Sequence, residues 1–494
     1  MNTRFSRNLS MLTDFYELTM SNGYFSEGKK DTIGIFDLFF RKVPDDGGFA
    51  IMCGIKQIID YISELSFDSD DILFLKEKGF NDEFLDYLRS FSFSCDVWAI
   101  PEGTPVFPNE PVLTVRGPII EAQLIETLIL ITFNHQSLIA TKANRIVRAA
   151  QGRPVIEFGA RRAQGYDAAV YGARAAIIGG CSATSCVLAA QKFGLNPAGT
   201  MAHSWVQMFD TEYEAFAAYA RRYPDNCILL VDTYNVLKSG VKNAIKVFDD
   251  VLKPLGKRPI GIRIDSGDIT YLSKRARKML DEAGYPDCHI VASNSLDEHI
   301  ISDMLLQGAK VDTFGVGERL ITSASSPVMG GVYKLSAIIG KDGEIIPRRL
   351  SLDFIDTDKL IEEREGRRIR EIFDTDGEGY FRYKEHEICT ELSHEDNKII
   401  ATGGGALTFD RNKEALSKSG KVIFIDVDLN TILRRIGNDS QRPLLNDETN
   451  ALFDKRNPIY KKNCDFTITV RGDVSAKEIA DSIIKYYIKG KKAK

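Results

Sequence analysis

Between residues 155 and 320 the chain repeats one pattern: a short apolar run ends in polar or glycine residues, and a helical stretch follows. The runs are Pro154–Phe158, Cys227–Val231, Pro259–Ile264, His289–Ala292 and Val311–Val316. From the second onward they recur at roughly 20–35 residues, the spacing of strand–helix units. This rhythm predicts parallel strands in a β/α barrel or an open sheet. In both, ligands sit beyond the carboxyl ends of the strands. The segments at those ends are Glu157–Arg162, Asp232–Asn235, Asp265–Asp268, Ser293–Asp297 and Gly315–Arg319, all rich in charge or glycine. The first 150 residues look mixed α+β.

A second rhythm starts near residue 351. Asp353–Asp358 ends a short strand, a charged helix follows, and Lys398–Thr402 leads as a strand into Gly403, Gly404 and Gly405. Lys421–Val427 is a further strand and Ala476–Ile488 a last helix. The joint at Pro347–Ser351 lacks the flexible polar linker usual between domains. The expected division is 1–135, 136–350 and 351–494.

Length allows this: 494 residues correspond to about three domains at roughly 150 residues each. Hydrophobic residues at 44% and charged residues at 27% describe an ordinary globular chain. A net charge of −5 argues against nucleic acid or an anionic membrane as the main partner. Lys489–Lys494 is a solvated, basic end. The eight cysteines are scattered, and the close pair Cys181 and Cys186 has no partner segment with zinc spacing. Reduced structural thiols in a cytosol follow. No apolar run reaches the ~18 residues needed to span a bilayer. Asp14 and Glu17 interrupt the stretch after Arg4 and Arg7 where a signal-peptide core would lie. These features predict a cytoplasmic protein.

The candidate chemistry lies at the strand ends. Gly261-Ile-Arg-Ile-Asp-Ser-Gly-Asp268 places Arg263, Asp265 and Asp268 around a small turn. Carboxylates suit vicinal ribose hydroxyls, and an arginine with backbone N–H groups and Mg²⁺ suits a pyrophosphate. An exposed acidic turn explains the segment equally well. In Phe314-Gly-Val-Gly-Glu318, Gly315 and Gly317 let backbone N–H groups approach a phosphate. His203 follows a Gly-Thr turn and precedes Trp205, where an imidazole could serve acid–base or phosphoryl-transfer chemistry. Phe158 with Arg161 suits a flat aromatic carboxylate, by stacking and ion pairing. An arginine pair bridging acids is the alternative.

Ten segments carry a resemblance. They are Leu12-Thr-Asp-Phe-Tyr16, Phe36-Asp-Leu-Phe-Phe-Arg41, Ala140-Thr-Lys142, Glu157-Phe-Gly-Ala-Arg-Arg-Ala-Gln-Gly165, Gly199-Thr-Met-Ala-His-Ser-Trp205, Val231-Asp-Thr-Tyr234, Arg263-Ile-Asp-Ser-Gly-Asp268, Ile290-Val-Ala-Ser-Asn294, Phe314-Gly-Val-Gly317 and Gly330-Gly-Val-Tyr-Lys334. Residues 8–346 thereby resemble nicotinate phosphoribosyltransferase. The resemblance implies an α/β, type II phosphoribosyltransferase fold, with an N-terminal α/β layer and an irregular β/α barrel working as a homodimer. It implies nicotinate and phosphoribosyl pyrophosphate as substrates, ATP as co-substrate and Mg²⁺ as cofactor. His203 matches the transiently phosphorylated histidine. Tyr16 would stack on the pyridine ring from the partner subunit, opposite Phe158. Arg161 and Arg263 would hold the carboxylate and phosphates, Asp265 the ribose, and Gly315 and Gly317 the phosphate. Ser185, Asp232, Ser293 and Asn294 complete the implied substrate contacts, and Asp268 the metal.

In related nicotinamide enzymes an Asp near Ser185 receives the amide. Ser182-Ala-Thr-Ser-Cys186 carries no acid, so nicotinate fits better. Asn235 departs from the second Asp that family members often carry, which bears on metal or ribose contacts. The family's C-terminal continuation, beyond Lys334, stops near Pro347.

Residues 351–490 resemble shikimate kinase. The match rests on Asp356-Thr-Asp358, Gly366-Arg-Arg-Ile-Arg-Glu-Ile-Phe373, Gly377–Glu385, Gly403-Gly-Gly405, Arg442-Pro-Leu-Leu445 and Arg456-Asn-Pro-Ile-Tyr460. By resemblance, Asp358, Arg382, Gly403, Gly404, Gly405 and Arg456 would hold shikimate. Asp356 would sit near Mg²⁺, and Arg442 would be a lid residue. The kinase's first strand and phosphate loop should precede Leu352, but no Gly-Lys-Ser or Gly-Lys-Thr occurs in the chain. The expectation is an incomplete parallel α/β sheet without kinase activity. Alternative readings are a shikimate kinase-related or shikimate-binding protein, and an inactive chimera.

Overall fold

The computed structural model describes residues 8–348, 353–395, 398–418, 420–428, 431, 449–470, 474, 478–480 and 482–483. The chain divides into two compact units, 1–348 and 349–494.

The first unit opens with a layer built from β1 (Ile33–Phe40), β2 (Ala50–Ile51), β3 (Asp96–Ala99), β4 (Pro105–Val106) and β5 (Leu113–Pro118). In β1 every second residue is buried, so Phe36, Leu38 and Phe40 enter the core while their neighbours stay half-exposed. This is the period-2 signature of a strand covered on one face. A parallel sheet follows: β6 (Val155–Glu157), β7 (Ala183–Thr184), β8 (Ile228–Leu230), β9 (Gly261–Ile264), β10 (His289–Ser293) and β11 (Thr313–Val316). Its order is β7-β6-β11-β10-β9-β8, with every pair parallel. Four of the five expected apolar runs contain one of these strands, and the fifth, His289–Ala292, covers β10 up to its last residue. Among the described residues the order runs from β7 to β8 with no pairing between those two strands.

The chain then returns to the first layer through β12 (Gly331–Ile339) and β13 (Ile345–Pro347), giving an antiparallel sheet ordered β13-β12-β1-β5-β3. Phe36 and Tyr333, some 300 residues apart in sequence, stack with ring centroids 4.9 Å apart. The expected boundary at 135–136 falls inside the 24-residue helix Glu126–Ala149. That helix buries Leu128, Ile129 and Phe133 in the first layer's core. One to four turns later it buries Ile139, Ala140, Ala143 and Ile146 in the core of the parallel sheet.

Lys142 lies on the same helix. Its side chain is 3% exposed, and its ammonium reaches Glu298 Oε1 at 2.7 Å, Ser325 Oγ at 2.8 Å and Asp45 Oδ2 at 3.2 Å. Arg145 joins Asp45 at 2.8 Å. The ammonium thus ties the first layer to the loops above the parallel sheet.

The second unit holds two parallel strand pairs. β14 (Asp353–Asp356) pairs with β15 (Lys398–Ala401), and β16 (Ile423–Val427) with β17 (Phe466–Val470). Helices Thr357–Glu365 and Ile369–Leu392 make the first crossover; the second of these breaks at Gly377, whose φ is +81°. One incomplete sheet was expected. Among the described residues the two pairs form separate sheets. Arg442 and most of Ala476–Ile488 lie outside the described residues. Among the described residues no helix is long and apolar enough to cross a membrane. All eight cysteines are free, and six are buried.

Replacing Lys142 by Met removes the cation and leaves the Glu298 carboxylate without its countercharge in a poorly solvated site. Breaking such a pair costs about 3–5 kcal/mol. We expect urea unfolding of the Lys142→Met protein to show a loss of at least ~2 kcal/mol, lowering the midpoint without a change of slope. A loss below ~1 kcal/mol would show that the ammonium does not hold the layers together.

Candidate active site

Arg263 sits on β9 with its side chain 13% exposed, and a cation so placed needs partners for its donors. Its Nε donates to Ser293 Oγ, at the end of β10, at 2.9 Å. One Nη donates to Thr200 Oγ1 at 3.0 Å, and the other lies 3.1 Å from Asp265 Oδ1. The guanidinium also lies over the Phe158 ring, 5.6 Å from its centroid. Four chain segments meet on one side chain.

Asp265 is fixed from two sides. Ser293 Oγ donates to its Oδ1. Asp232, at the end of β8, accepts from the Asp265 N–H at 2.9 Å and from Ser266 Oγ at 2.6 Å, both on Oδ2. Asp232 Oδ1 is buried and has no hydrogen-bond partner among the described residues. His203 begins a short helix, His203–Gln207. Its Nδ1 lies 3.1 Å from Thr233 Oγ1 and its Nε2 3.8 Å from Asp265 Oδ2, with 42% of the side chain exposed. The imidazole is anchored at one nitrogen and accessible at the other.

The glycines at β11 are required by close approach. A Cβ on Gly315 would collide with the Phe158 ring, and one on Gly317 would come within 3.2 Å of the Phe158 carbonyl. Asn294 adopts φ +95°, a left-handed conformation that points this turn away from a regular strand exit. Arg161 stands exposed in the turn Ala160–Arg162. Ser185 follows β7, and its N–H donates to the Glu157 carbonyl at 2.8 Å. The sheet therefore gathers Phe158, Asp232, His203, Arg263, Asp265, Ser293 and Gly315 by direct contact, and it places Arg161, Ser185, Asn294 and Gly317 at the same strand ends.

Tyr16 stands apart on helix Phe15–Ser26 in the first layer, 45% exposed. Burial, together with the neighbouring carboxylates of Glu126 and Glu17, raises its hydroxyl well above the usual range. Among the described residues it makes no ring contact with the strand-end cluster. Asp268, read from sequence as a metal ligand, caps helix Ile269–Glu282 by accepting from the Tyr271 N–H at 2.9 Å. Asn235 likewise caps the turn that follows it, accepting from the Lys238 N–H at 2.8 Å. Sequence reasoning missed Thr200, Thr233 and Ser266, hydroxyls whose partners come from elsewhere in the fold.

The second unit brings Asp358, Arg382, Gly403, Gly404, Gly405 and Arg456 close to one another, while Arg442 lies outside the described residues. Gly403 lies against the Asp358 carboxylate and Gly405 against the Arg382 guanidinium, so a Cβ at either would displace a charged group, whereas a Cβ at Gly404 would stand 3.6 Å from Arg456 Nη1. The Gly403 N–H donates to Thr357 Oγ1 at 3.1 Å. Arg382 is 9% exposed and bonds Glu385 at 3.1 Å and Glu378 at 3.0 Å. Burial pushes the Glu385 carboxyl up, against the lowering effect of Arg382. Asp356 caps helix Thr357–Glu365, accepting from the Asp358 N–H at 3.0 Å. Among the described residues no group of three or more His, Cys, Asp or Glu side chains is arranged to hold a metal ion.

Comparison with known proteins decides the family. The N-terminal domain of nicotinate phosphoribosyltransferase matches residues 11–134, and the nicotinate phosphoribosyltransferase family matches 154–345. The Bacillus subtilis nicotinate phosphoribosyltransferase is 46% identical over 341 residues, covering 68% of each chain. The chain belongs to the nicotinate phosphoribosyltransferase family. A Mycobacterium tuberculosis member is 44% identical over 334 residues, or 67% of this chain and 71% of that one. The crystal structure of the human nicotinic acid phosphoribosyltransferase superposes with a TM-score of 0.62 at 30% identity, covering 68% of this chain and 76% of that one. Residues 341–487 match shikimate kinase, so a shikimate kinase domain is fused to the C-terminal side.

Arg263 and Asp265 are charges held in place by the fold, and such groups usually carry the largest share of transition-state stabilisation. We expect Arg263→Ala and Asp265→Ala each to cost at least ~2–3 kcal/mol in kcat/KM of the phosphoribosyltransferase reaction. A loss under about tenfold for both, on folded protein, would move the site elsewhere.

Proposed function

We propose that the first unit transfers the phosphoribosyl group of phosphoribosyl pyrophosphate to nicotinate, forming nicotinate mononucleotide, with ATP hydrolysis coupled to the transfer. The observation that carries this is the cluster Arg263–Asp265–Ser293–His203 beside the Phe158 ring. The pyridine nitrogen attacks the anomeric carbon of the ribose; the new C–N bond forms as the bond to pyrophosphate breaks. The ribosyl centre gains oxocarbenium-like positive charge as pyrophosphate departs with negative charge. Asp265, held rigid by Ser293 and Asp232, is suited to the first, and Arg263 to the second. The N–H groups around Gly315 and Gly317 cradle a phosphate. Phe158 and Arg161 take the ring and carboxylate of nicotinate, and Tyr16 supplies the opposite stacking face from the partner subunit of a homodimer.

The residues fit Mg²⁺. Asp232 Oδ1, buried and without a hydrogen-bond partner among the described residues, and the Asp265 carboxylate offer hard oxygen donors, to which pyrophosphate oxygens would add. Mg²⁺, when bound, neutralises charge on the leaving group. The chain's own contribution is to hold both carboxylates oriented. His203, with Nδ1 on Thr233 and an accessible Nε2, is placed to take a phosphoryl group from ATP. The free thiols accord with a cytoplasmic setting.

Purified protein with nicotinate, phosphoribosyl pyrophosphate and Mg²⁺ should form nicotinate mononucleotide, and nicotinamide should be a poor acceptor. In His203→Ala, ATP stimulation should fall more than basal transfer. No product from either base overturns the assignment. Equal use of nicotinamide removes the argument from Ser185, and undiminished ATP stimulation in the variant removes His203 from the coupling step.

The second unit is read as inactive toward shikimate phosphorylation. Phosphoryl transfer needs the β- and γ-phosphates cradled by backbone N–H groups and a lysine, with Mg²⁺ held partly by the loop hydroxyl. No segment of the sequence supplies a Gly-Lys-Ser or Gly-Lys-Thr loop. The separation of β14–β15 from β16–β17 supports the loss of a strand that would lie between them. The Asp358–Arg382–Gly403–Arg456 cleft lies on retained segments, so shikimate binding can persist. Calorimetric titration should detect weak shikimate binding while a coupled ADP-release assay detects no shikimate-dependent turnover. Release at an ordinary kinase rate of about 1–100 s⁻¹ would overturn this reading.

A further inference from the structure

Glu157 ends β6 and is fully buried, immediately before the Phe158 ring. Among the described residues no Lys, Arg or His forms an ion pair with it, and burial pushes its carboxyl above the usual range. A charged group kept in such a place without a countercharge is costly, so its hydrogen bonds must be worth that cost. They join three separate pieces of the acceptor side of the site. The Gly159 N–H donates to Oε1, fixing the start of the turn that carries Arg161. Thr184 Oγ1, itself fully buried, donates to Oε2 at 2.6 Å. The same Thr184 oxygen accepts from the Cys186 N–H at 3.0 Å. Between these two residues, the Ser185 N–H donates to the Glu157 carbonyl at 2.8 Å. The chain between, at Phe158, is pinned to β11 by its N–H donating to the Val316 carbonyl at 2.7 Å.

We propose that Glu157 is a positioning residue that sets the shape of the acceptor pocket: its carboxylate holds the Arg161 turn and the Thr184–Cys186 loop at a fixed separation on either side of the Phe158 ring. This rests on the assignment of Phe158, Arg161 and Ser185 to nicotinate. The carboxylate does not touch the reacting atoms. It acts by giving two acceptor oxygens to two donors that lie on different strand ends. The residue type follows from that geometry. Aspartate is one methylene shorter and cannot reach both donors from the same backbone position. Glutamine keeps the reach, but its amide offers one acceptor oxygen instead of two, and its NH₂ must then donate to a Thr184 oxygen that already accepts from Cys186. The pocket is thus coupled to the identity of a side chain outside it, and the coupling is specific for the base. Asp232, Arg263, Asp265 and Ser293, which would bind phosphoribosyl pyrophosphate, share none of the bonds of the Glu157 carboxylate except through Phe158, whose N–H is held by β11.

The test is steady-state kinetics of the full chain, with each substrate varied in turn, for wild type and the variants E157D, E157Q and T184V. We expect E157D to raise KM for nicotinate by about tenfold or more while KM for phosphoribosyl pyrophosphate stays within about twofold. E157Q should recover most of the loss, to within about threefold of wild type. T184V, which removes the hydroxyl and keeps the shape, should raise KM for nicotinate about three- to tenfold. A nicotinate KM within about twofold of wild type in E157D overturns the inference, as does a rise by the same factor for both substrates, the mark of a general structural role. If E157D does not fold, T184V decides by the same criteria. Wild-type protein that makes no product from nicotinate overturns the functional assignment itself, and the inference with it. Active wild type with unaffected variants overturns the inference alone.

Discussion

Arg263 is a permanent cation almost enclosed by the fold, and the arrangement of the site follows from where its donors find acceptors. Thr200, Ser293 and Asp265 come from three parts of the chain, and Phe158 from a fourth. Each can meet the guanidinium when β6, β9, β10 and β11 lie in the observed order, because β11 and β10 separate β6 from β9. The parallel sheet fixes the order through its cores, and the guanidinium fixes the loops through its donors. On the proposed assignment, a pyrophosphate arriving there would meet a cation whose position has been set before binding. Little reorganisation then remains to be made during the reaction.

The five parallel strands β6, β8, β9, β10 and β11 were legible because both faces of the sheet are covered, which turns each strand into an uninterrupted apolar run with a polar exit. Ile262, Ile264, Ile290 and Ala292 are all buried. β7 escaped notice because two residues, Ala183 and Thr184, carry no periodicity. The return of β12 to the first layer was hidden for another reason. Its register with β1 is a contact between residues some 300 positions apart, and neither strand encodes its partner. β17 alternates and follows a charged helix that drew attention from it.

The site was legible where a residue's chemistry is visible without its neighbours. Arg263, Asp265 and His203 are such residues, on segments ending apolar runs. Thr200, Thr233 and Ser266 are not, since a hydroxyl's role depends on what the fold sets beside it. Asp268 and Asp356 show the converse ambiguity. An acid before a helix is both a metal-ligand candidate and a helix N-cap, and in the structure both side chains accept backbone N–H groups.

The two units differ in what a missing piece would remove. In the first, the strand-end cluster is held by bonds among the described strands, and β12 and β13 extend the first layer past the end of the parallel sheet. In the second, Asp358 and Arg382 come from the first crossover, the glycines from the exit of β15 and Arg456 from helix Thr449–Asn463. A phosphate cradle is different in kind. It is a run of consecutive backbone N–H groups, so neighbouring side chains cannot rebuild it once the segment is gone. A cleft assembled from side chains on several elements survives the loss of one strand, whereas a cradle made by one loop does not. On the proposed reading, recognition and turnover would part company in the second unit while remaining joined in the first.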